Sequence, residues 1–152
     1  AVFSFAFIVF GPWEFYKMKK DDKEFLRKLI QVIEKGTVAT CVINAKRITV
    51  AEEYEDEGDL YFIEYETDRI LCMCDHGYSL QKKFPCLNFE IYEDNFFKLF
   101  GRPIYPLSER IKPVVIDAKA KWNYMQKFGA QDHFETLQIN FDKLVATYNE
   151  CA

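Results

Sequence analysis

The sequence predicts an α+β fold: a mainly antiparallel β-sheet, or a partly open barrel, with an N-terminal amphipathic helix and a short C-terminal helix. Three observations point there. Residues 21–35 place apolar side chains at helical spacing and end at Gly36, a stop signal. Between residues 37 and 117 the period changes to the alternation of strands, broken by turn residues. Finally, Asn140 stands as a cap before a second helical stripe.

The chain has 152 residues, the length of one domain, and a domain of that size buries roughly two-thirds of the surface its unfolded chain exposes. A composition 49% hydrophobic and 17% aromatic excludes intrinsic disorder. The formal net charge of -4 argues against generic nucleic-acid binding, which needs a basic surface against phosphates. Five cysteines, Cys41, Cys72, Cys74, Cys86 and Cys151, are odd in number and sparse, so a reducing compartment fits better than a disulfide scaffold. There is no internal repeat or low-complexity segment.

Residues 1–20 form an apolar, aromatic and basic segment. Ala1 to Phe10 is apolar except for Ser4; Gly11-Pro12 follows, then Trp13, Phe15 and Tyr16, then Lys17, Lys19 and Lys20. A spanning helix needs about 20 apolar residues, twice this run. The order apolar, aromatic, basic nevertheless matches the cytoplasmic end of a membrane helix, so the segment reads as a membrane-anchor stub or, alternatively, as a buried element. A secretory signal fits poorly because the positive charges follow the apolar run. The rest, residues 21–152, reads as a single α+β domain.

Within that domain, Asp21 and Glu24 have the spacing of a capping box, and Phe25, Leu26, Leu29, Ile30 and Ile33 form one apolar stripe. A stripe of that kind docks on something. Lys23, Arg27 and Lys28 lie on the other face and, with Lys17, Lys19 and Lys20, suit an anionic leaflet or plain solvent. Strands follow at "TVATCVINAKRITV", "LYFIEYE" and "RILCMCD", the last two joined by a tight turn at Thr67-Asp68. "CLNFEIYE" and "KPVVIDA" are further strands, Pro113 marking a beginning or an edge. The intervening "NFFKLFGRPIYPLSER" reads as an irregular connection or a strand pair. "HFETLQI" is a short strand, and Phe141 to about Tyr148 a helix; strand and helix together cover residues 134–149.

Chemistry concentrates at "ILCMCDHGY". On a strand, Ile70, Cys72 and Cys74 share one face, while Leu71, Met73 and Asp75 share the other. A zinc site could draw on Cys72, Cys74, His76 and Cys86, but a strand projects alternate thiols in parallel instead of converging them. A thiol nucleophile would be Cys86 with His76 or His133. Small core thiols are the simpler reading. Glu64 with Glu66 or Asp75 is no evidence of paired-carboxylate catalysis, and no phosphate loop or nucleophile elbow is present. The strongest polar feature is the block containing Glu52, Glu53, Glu55, Asp56, Glu57 and Asp59, with no basic residue inside it. It lacks the ligand order of an EF-hand and reads as a solvated hairpin loop or as a surface for a basic partner.

The stretches "EDEGDLYFIEYETDRILCMCD" and "KKFPCLNFEIYED" resemble an uncharacterised bacterial family whose cytosolic β-rich domain follows N-terminal membrane helices, the resemblance covering roughly Lys46 to Glu93. The resemblance implies a membrane tether and carries no catalytic residues. The expected function is therefore a non-enzymatic, membrane-associated protein with a cytosolic β-rich interaction domain. It would sit at the cytoplasmic face of the inner membrane or in the cytoplasm, binding a protein partner or the membrane surface, without a cofactor. The alternatives are a soluble immunity or adaptor protein recruiting a basic partner through the acidic loop, and a small thiol or zinc-dependent enzyme.

Overall fold

The computed structural model describes residues 19–31, 33–36, 39–78, 80, 84–92 and 104–152. The anchor segment Ala1–Phe10, with Trp13, Phe15, Tyr16 and Lys17, lies outside the described residues. Among the described residues, three helices and eight strands make two mostly antiparallel sheets that do not close into a barrel. The fold is α+β, with a short C-terminal helix.

The first helix, α1, comprises residues 19–31 and 33–35. Gly36 ends it at φ 64, its N–H donating to the Ile33 carbonyl at 3.1 Å, because glycine adopts this left-handed geometry without strain. Asp21 is not the cap expected from the sequence: Lys19 and Lys20 are already helical. Both are good helix formers, so the helix runs through the capping signal.

The alternating run after α1 splits in two. β1 (Thr40–Asn44) and β2 (Arg47–Ala51) belong to different sheets. At the corner the Ala45 N–H donates to the Leu87 carbonyl and the Lys46 N–H to the Glu64 carbonyl, both at 2.7 Å. Two successive amides thus bond to opposite sheets. β3 (Asp59–Glu66) and β4 (Arg69–Asp75) form the expected hairpin, with Asp68 at φ 60 in its turn and a register shift between Glu64 and Glu66. β5 (Asn88–Tyr92) pairs with β1 and with β6 (Ile104–Pro106), giving a three-stranded sheet in the order β1-β5-β6.

The other sheet has five strands in the order β7-β2-β3-β4-β8. β7 (Val114–Ile116) follows Pro113 on one edge and runs parallel to β2; β8 (Thr136–Gln138) closes the other edge. Side-chain alternation then builds two cores. Val50, Tyr61, Ile63, Leu71 and Met73 pack toward Phe84, Cys86, Phe89 and Ile104, on the side of the small sheet. Leu60, Phe62, Ile70 and Cys72 pack toward the helices. Because β3 is buried on both faces, it reads as a nearly continuous apolar run, and each large side chain there contributes about 1.5–3 kcal/mol.

Two helices cover the second core. α3 (Phe141–Asn149) has the expected cap, with the Asn140 side chain accepting from the Asp142 and Lys143 amides, and buries Phe141, Leu144 and Tyr148. α2 (Ala118–Phe128) was not expected from the sequence. Asp117 caps it by accepting from the Lys119 and Ala120 amides at 2.9 and 3.3 Å. Its buried positions are Ala120 and Lys121, so the apolar period that marks a helix is interrupted by a charge.

Candidate functional site

The acidic β2–β3 loop is a built object and not only a solvated hairpin end. Its Glu57 carboxylate turns inward, accepting from the Tyr54 amide at 2.9 Å and the Glu55 amide at 2.7 Å. Lys121 of α2, 2% exposed, ion-pairs with Glu57 at 3.1 Å and donates to the Gly58 carbonyl at 2.5 Å. Burial alone would raise the Glu57 carboxyl. The backbone hydrogen bonds and Lys121 outweigh it and hold the group down at about 2.

Neighbouring contacts fix the loop further. Asp59 accepts from the Glu53 amide at 3.1 Å, and the Tyr54 ring stacks on Trp122 with centroids 5.6 Å apart. His76 Nδ1 lies 2.8 Å from the Glu57 carbonyl, which requires the proton on that nitrogen. The Tyr78 hydroxyl is pushed up to about 12 chiefly by its hydrogen bond to Glu53. Gly58 stands at φ 76, and a Cβ there would sit 2.6 Å from the Asp75 carbonyl oxygen. Only glycine lets the loop and the β4 turn approach so closely.

The six acidic residues singled out in the sequence therefore divide. Glu52, Glu55 and Asp56 are exposed and Glu53 half-buried, whereas Glu57 and Asp59 hold the loop together. The absence of a basic residue within the block was misleading, since the compensating cation comes from residue 121. Sequence reasoning missed Lys121 and Trp122 because it missed α2. The cap Asp117 before "AKAK" was the available signal.

Beside the loop is a cavity of about 320 Å³, with Gly58, Cys74, His76, Lys121, Gln131 and His133 in its walls. Cys74 approaches His133 through its backbone: the amide donates to His133 Nδ1 at 3.0 Å. Burial raises the Cys74 thiol, with Lys121 opposing. Burial likewise pushes Cys72 up to about 12 and raises Cys86. These shifts run against the low thiol pKa of an activated nucleophile.

Cys72 and Cys74 share the helix-side face of β4 with Ile70, whereas Cys86 belongs to the core between the sheets. The zinc set Cys72, Cys74, His76 and Cys86 is thus divided across a sheet. The pair Cys86 and His133 is separated the same way, His133 lying at Cys74. Among the described residues no three His, Cys, Asp or Glu side chains are grouped to hold a metal ion. Glu64 is engaged elsewhere: Arg47 Nε meets its carboxylate at 2.8 Å, and Arg47 Nη1 reaches Asp142 of α3 at 2.7 Å.

The second candidate surface is α1. Phe25, Leu26, Ile30 and Ile33 are 44, 53, 52 and 67% exposed, and Leu29 is half-buried. Lys19, Lys20, Lys23, Arg27 and Lys28 are exposed on the same helix, with Glu24 and Lys28 bridged at 2.9 Å. No helix among the described residues is long and apolar enough to cross a membrane. Comparison with known proteins adds no relative: no family model, no curated protein and no solved structure matches the chain.

Proposed function

We propose that this chain is a non-enzymatic, membrane-associated bacterial protein: α1 lies on the anionic cytoplasmic leaflet, and the β-rich domain behind it binds a partner. The observation that carries this reading is the apolar stripe Phe25, Leu26, Ile30 and Ile33, left in water on a helix whose cations Lys19, Lys20, Lys23, Arg27, Lys28 and Lys35 outnumber its anions Asp21, Asp22, Glu24 and Glu34. Contiguous exposed apolar surface marks an interaction site. An amphipathic helix with lysines and arginine on its polar face suits the headgroup boundary, where each cation contributes about 1 kcal/mol near anionic lipid. The order of residue types in Ala1–Lys20 and the resemblance within Lys46–Glu93 support the same placement.

Cosedimentation with vesicles tests it. The chain should pellet with phosphatidylglycerol-containing vesicles and not with neutral phosphatidylcholine, and Ile30→Asp with Ile33→Asp should leave it in the supernatant. Equal recovery with and without anionic lipid would sink the reading. A second reading, an adaptor recruiting a basic partner through the acidic loop, is favoured by the Glu57–Lys121 clamp, which presents Glu52, Glu55 and Asp56 on a fixed backbone. Charge complementarity of that kind acts on association rate and specificity. Neutralising Glu52, Glu53, Glu55 and Asp56 should abolish capture of that partner while the chain still pellets with anionic vesicles; undiminished capture would remove this reading.

A further inference from the structure

An open groove of about 500 Å³ lies between α3 and the chain leading into β7; neither Cys72 nor Cys74 contributes to it. Its apolar walls include Ile48, Ile111, Val114 and Val145. Its volume falls within the roughly 300–1,000 Å³ typical of small-molecule sites, which are mostly apolar with a few polar groups that orient the ligand. The four charged residues in its lining are Lys46, Arg47, Lys112 and Asp142.

Those charges are unevenly matched. Arg47 is held by Glu64 and Asp142 and lies over the Phe141 ring, 4.5 Å from its centroid, so its charge is answered within the protein. Lys46 donates at 2.8 Å to the neutral Thr67 hydroxyl, and Lys112 has no ion-pair partner among the described residues. Lys46 and Lys112 thus have no ion-pair partner among the described residues, and the lining, with Lys46, Arg47 and Lys112 against Asp142, is cationic on balance. Both lysines are exposed, so an anionic headgroup can reach them while a hydrocarbon tail follows the apolar walls, and an anion with a hydrocarbon tail answers both features at once.

We propose that this groove binds a single-chain anionic amphiphile of the fatty-acid carboxylate class. The tail lies along Ile48, Ile111, Val114 and Val145, and the carboxylate pairs with Lys112 and Lys46. The site is separate from α1 and does not depend on the membrane reading.

Calorimetric titration of the full chain with laurate, below its micellar range, tests the assignment, with dodecyltrimethylammonium as the same tail bearing the opposite charge. The expected result is saturable one-to-one laurate binding, at least tenfold tighter than that of the cation. Lys112→Glu, at an exposed position, should weaken laurate about tenfold without changing the melting temperature, and Val145→Asp should abolish binding. The α1 variant Ile30→Asp with Ile33→Asp should bind laurate normally while losing vesicles, so the two proposals fail separately. Equal affinity for both amphiphiles, an unchanged Lys112→Glu variant, or laurate binding lost only in the α1 variant would each overturn the groove assignment. So would concentration-dependent dimerisation that Lys112→Glu abolishes, since the groove would then seat a second copy.

Discussion

α1 and α3 carry the same kind of sequence signature and differ in where their apolar stripes end. In α3, Phe141, Leu144 and Tyr148 are 4, 2 and 0% exposed against the helix-side face of the five-stranded sheet. In α1, Phe25, Ile30 and Ile33 are 44, 52 and 67% exposed. Helical periodicity announces that a face needs covering, and it does not say what covers it. For α3 the answer lies far earlier in the chain, in Phe62, Ile70 and Cys72. For α1 no described part of the chain supplies one, and under the proposed function that difference separates a structural helix from an interaction helix.

The comparison is broken most forcefully at Tyr148. Its ring stacks on Tyr124 with centroids 3.8 Å apart, touches Phe62 at 5.1 Å, and its hydroxyl donates to Gln131 at 2.6 Å. Truncation empties a fully buried site and removes the hydrogen bond to Gln131, so Tyr148→Ala should cost about 4 kcal/mol in urea unfolding. A loss under about 1 kcal/mol would mean that α3 is as dispensable to the fold as α1.

The acidic loop gives the next effect, through pH. Glu57 titrates at about 2 in the folded chain against about 4.3 when unfolded. A depressed carboxyl contributes stability that is fully present above the unfolded value and is lost as pH falls through the folded one. Between pH 5 and pH 2 the chain should lose about 3 kcal/mol from this group, and Glu57→Gln should flatten that part of the profile. An unchanged acid limb in the variant would show that Lys121 and the loop amides do not hold the carboxylate.

How much of this was legible in the sequence follows the same division between local and distant causes. The β3–β4 hairpin, the shared face of Cys72 and Cys74, and the Asn140 cap depend on residues within a few positions of one another, and all were read correctly. α2 was missed because its buried side includes Lys121, whose reason for being there is Glu57, more than sixty residues away. The break between β1 and β2 was hidden for a similar reason: Ala45 and Lys46 bond to Leu87 and Glu64, partners that a local alternation pattern cannot reveal. The groove beside α3 joins residues near 46, 111 and 145, so only the fold assembles it.

A smaller effect tests the local side of that division. Asn140→Ala removes the acceptor for the Asp142 and Lys143 amides and a 3.0 Å bond from its side chain to Asp68. It should cost about 1 kcal/mol, with the loss confined to α3 and visible as faster amide exchange in its first turn. Exchange that quickened equally throughout the sheet would mean the cap supports the whole second core.

The smallest expected effect on stability is the most informative for α1. Ile30→Asp with Ile33→Asp exchanges two exposed apolar side chains for charges on a helix already rich in them. Neither position fills a described core, so unfolding should shift by no more than about 0.5 kcal/mol, near the small difference in helix propensity between isoleucine and aspartate. The same variant should lose anionic vesicles. If it instead lost 2 kcal/mol or more in the absence of lipid, the stripe would be covered within the chain, and α1 would belong with α3 as a structural helix. If stability held and vesicle binding also held, the stripe would be open but facing something other than lipid. Stability retained together with vesicle binding lost is the one outcome in which the exposed face and the membrane are matched to each other.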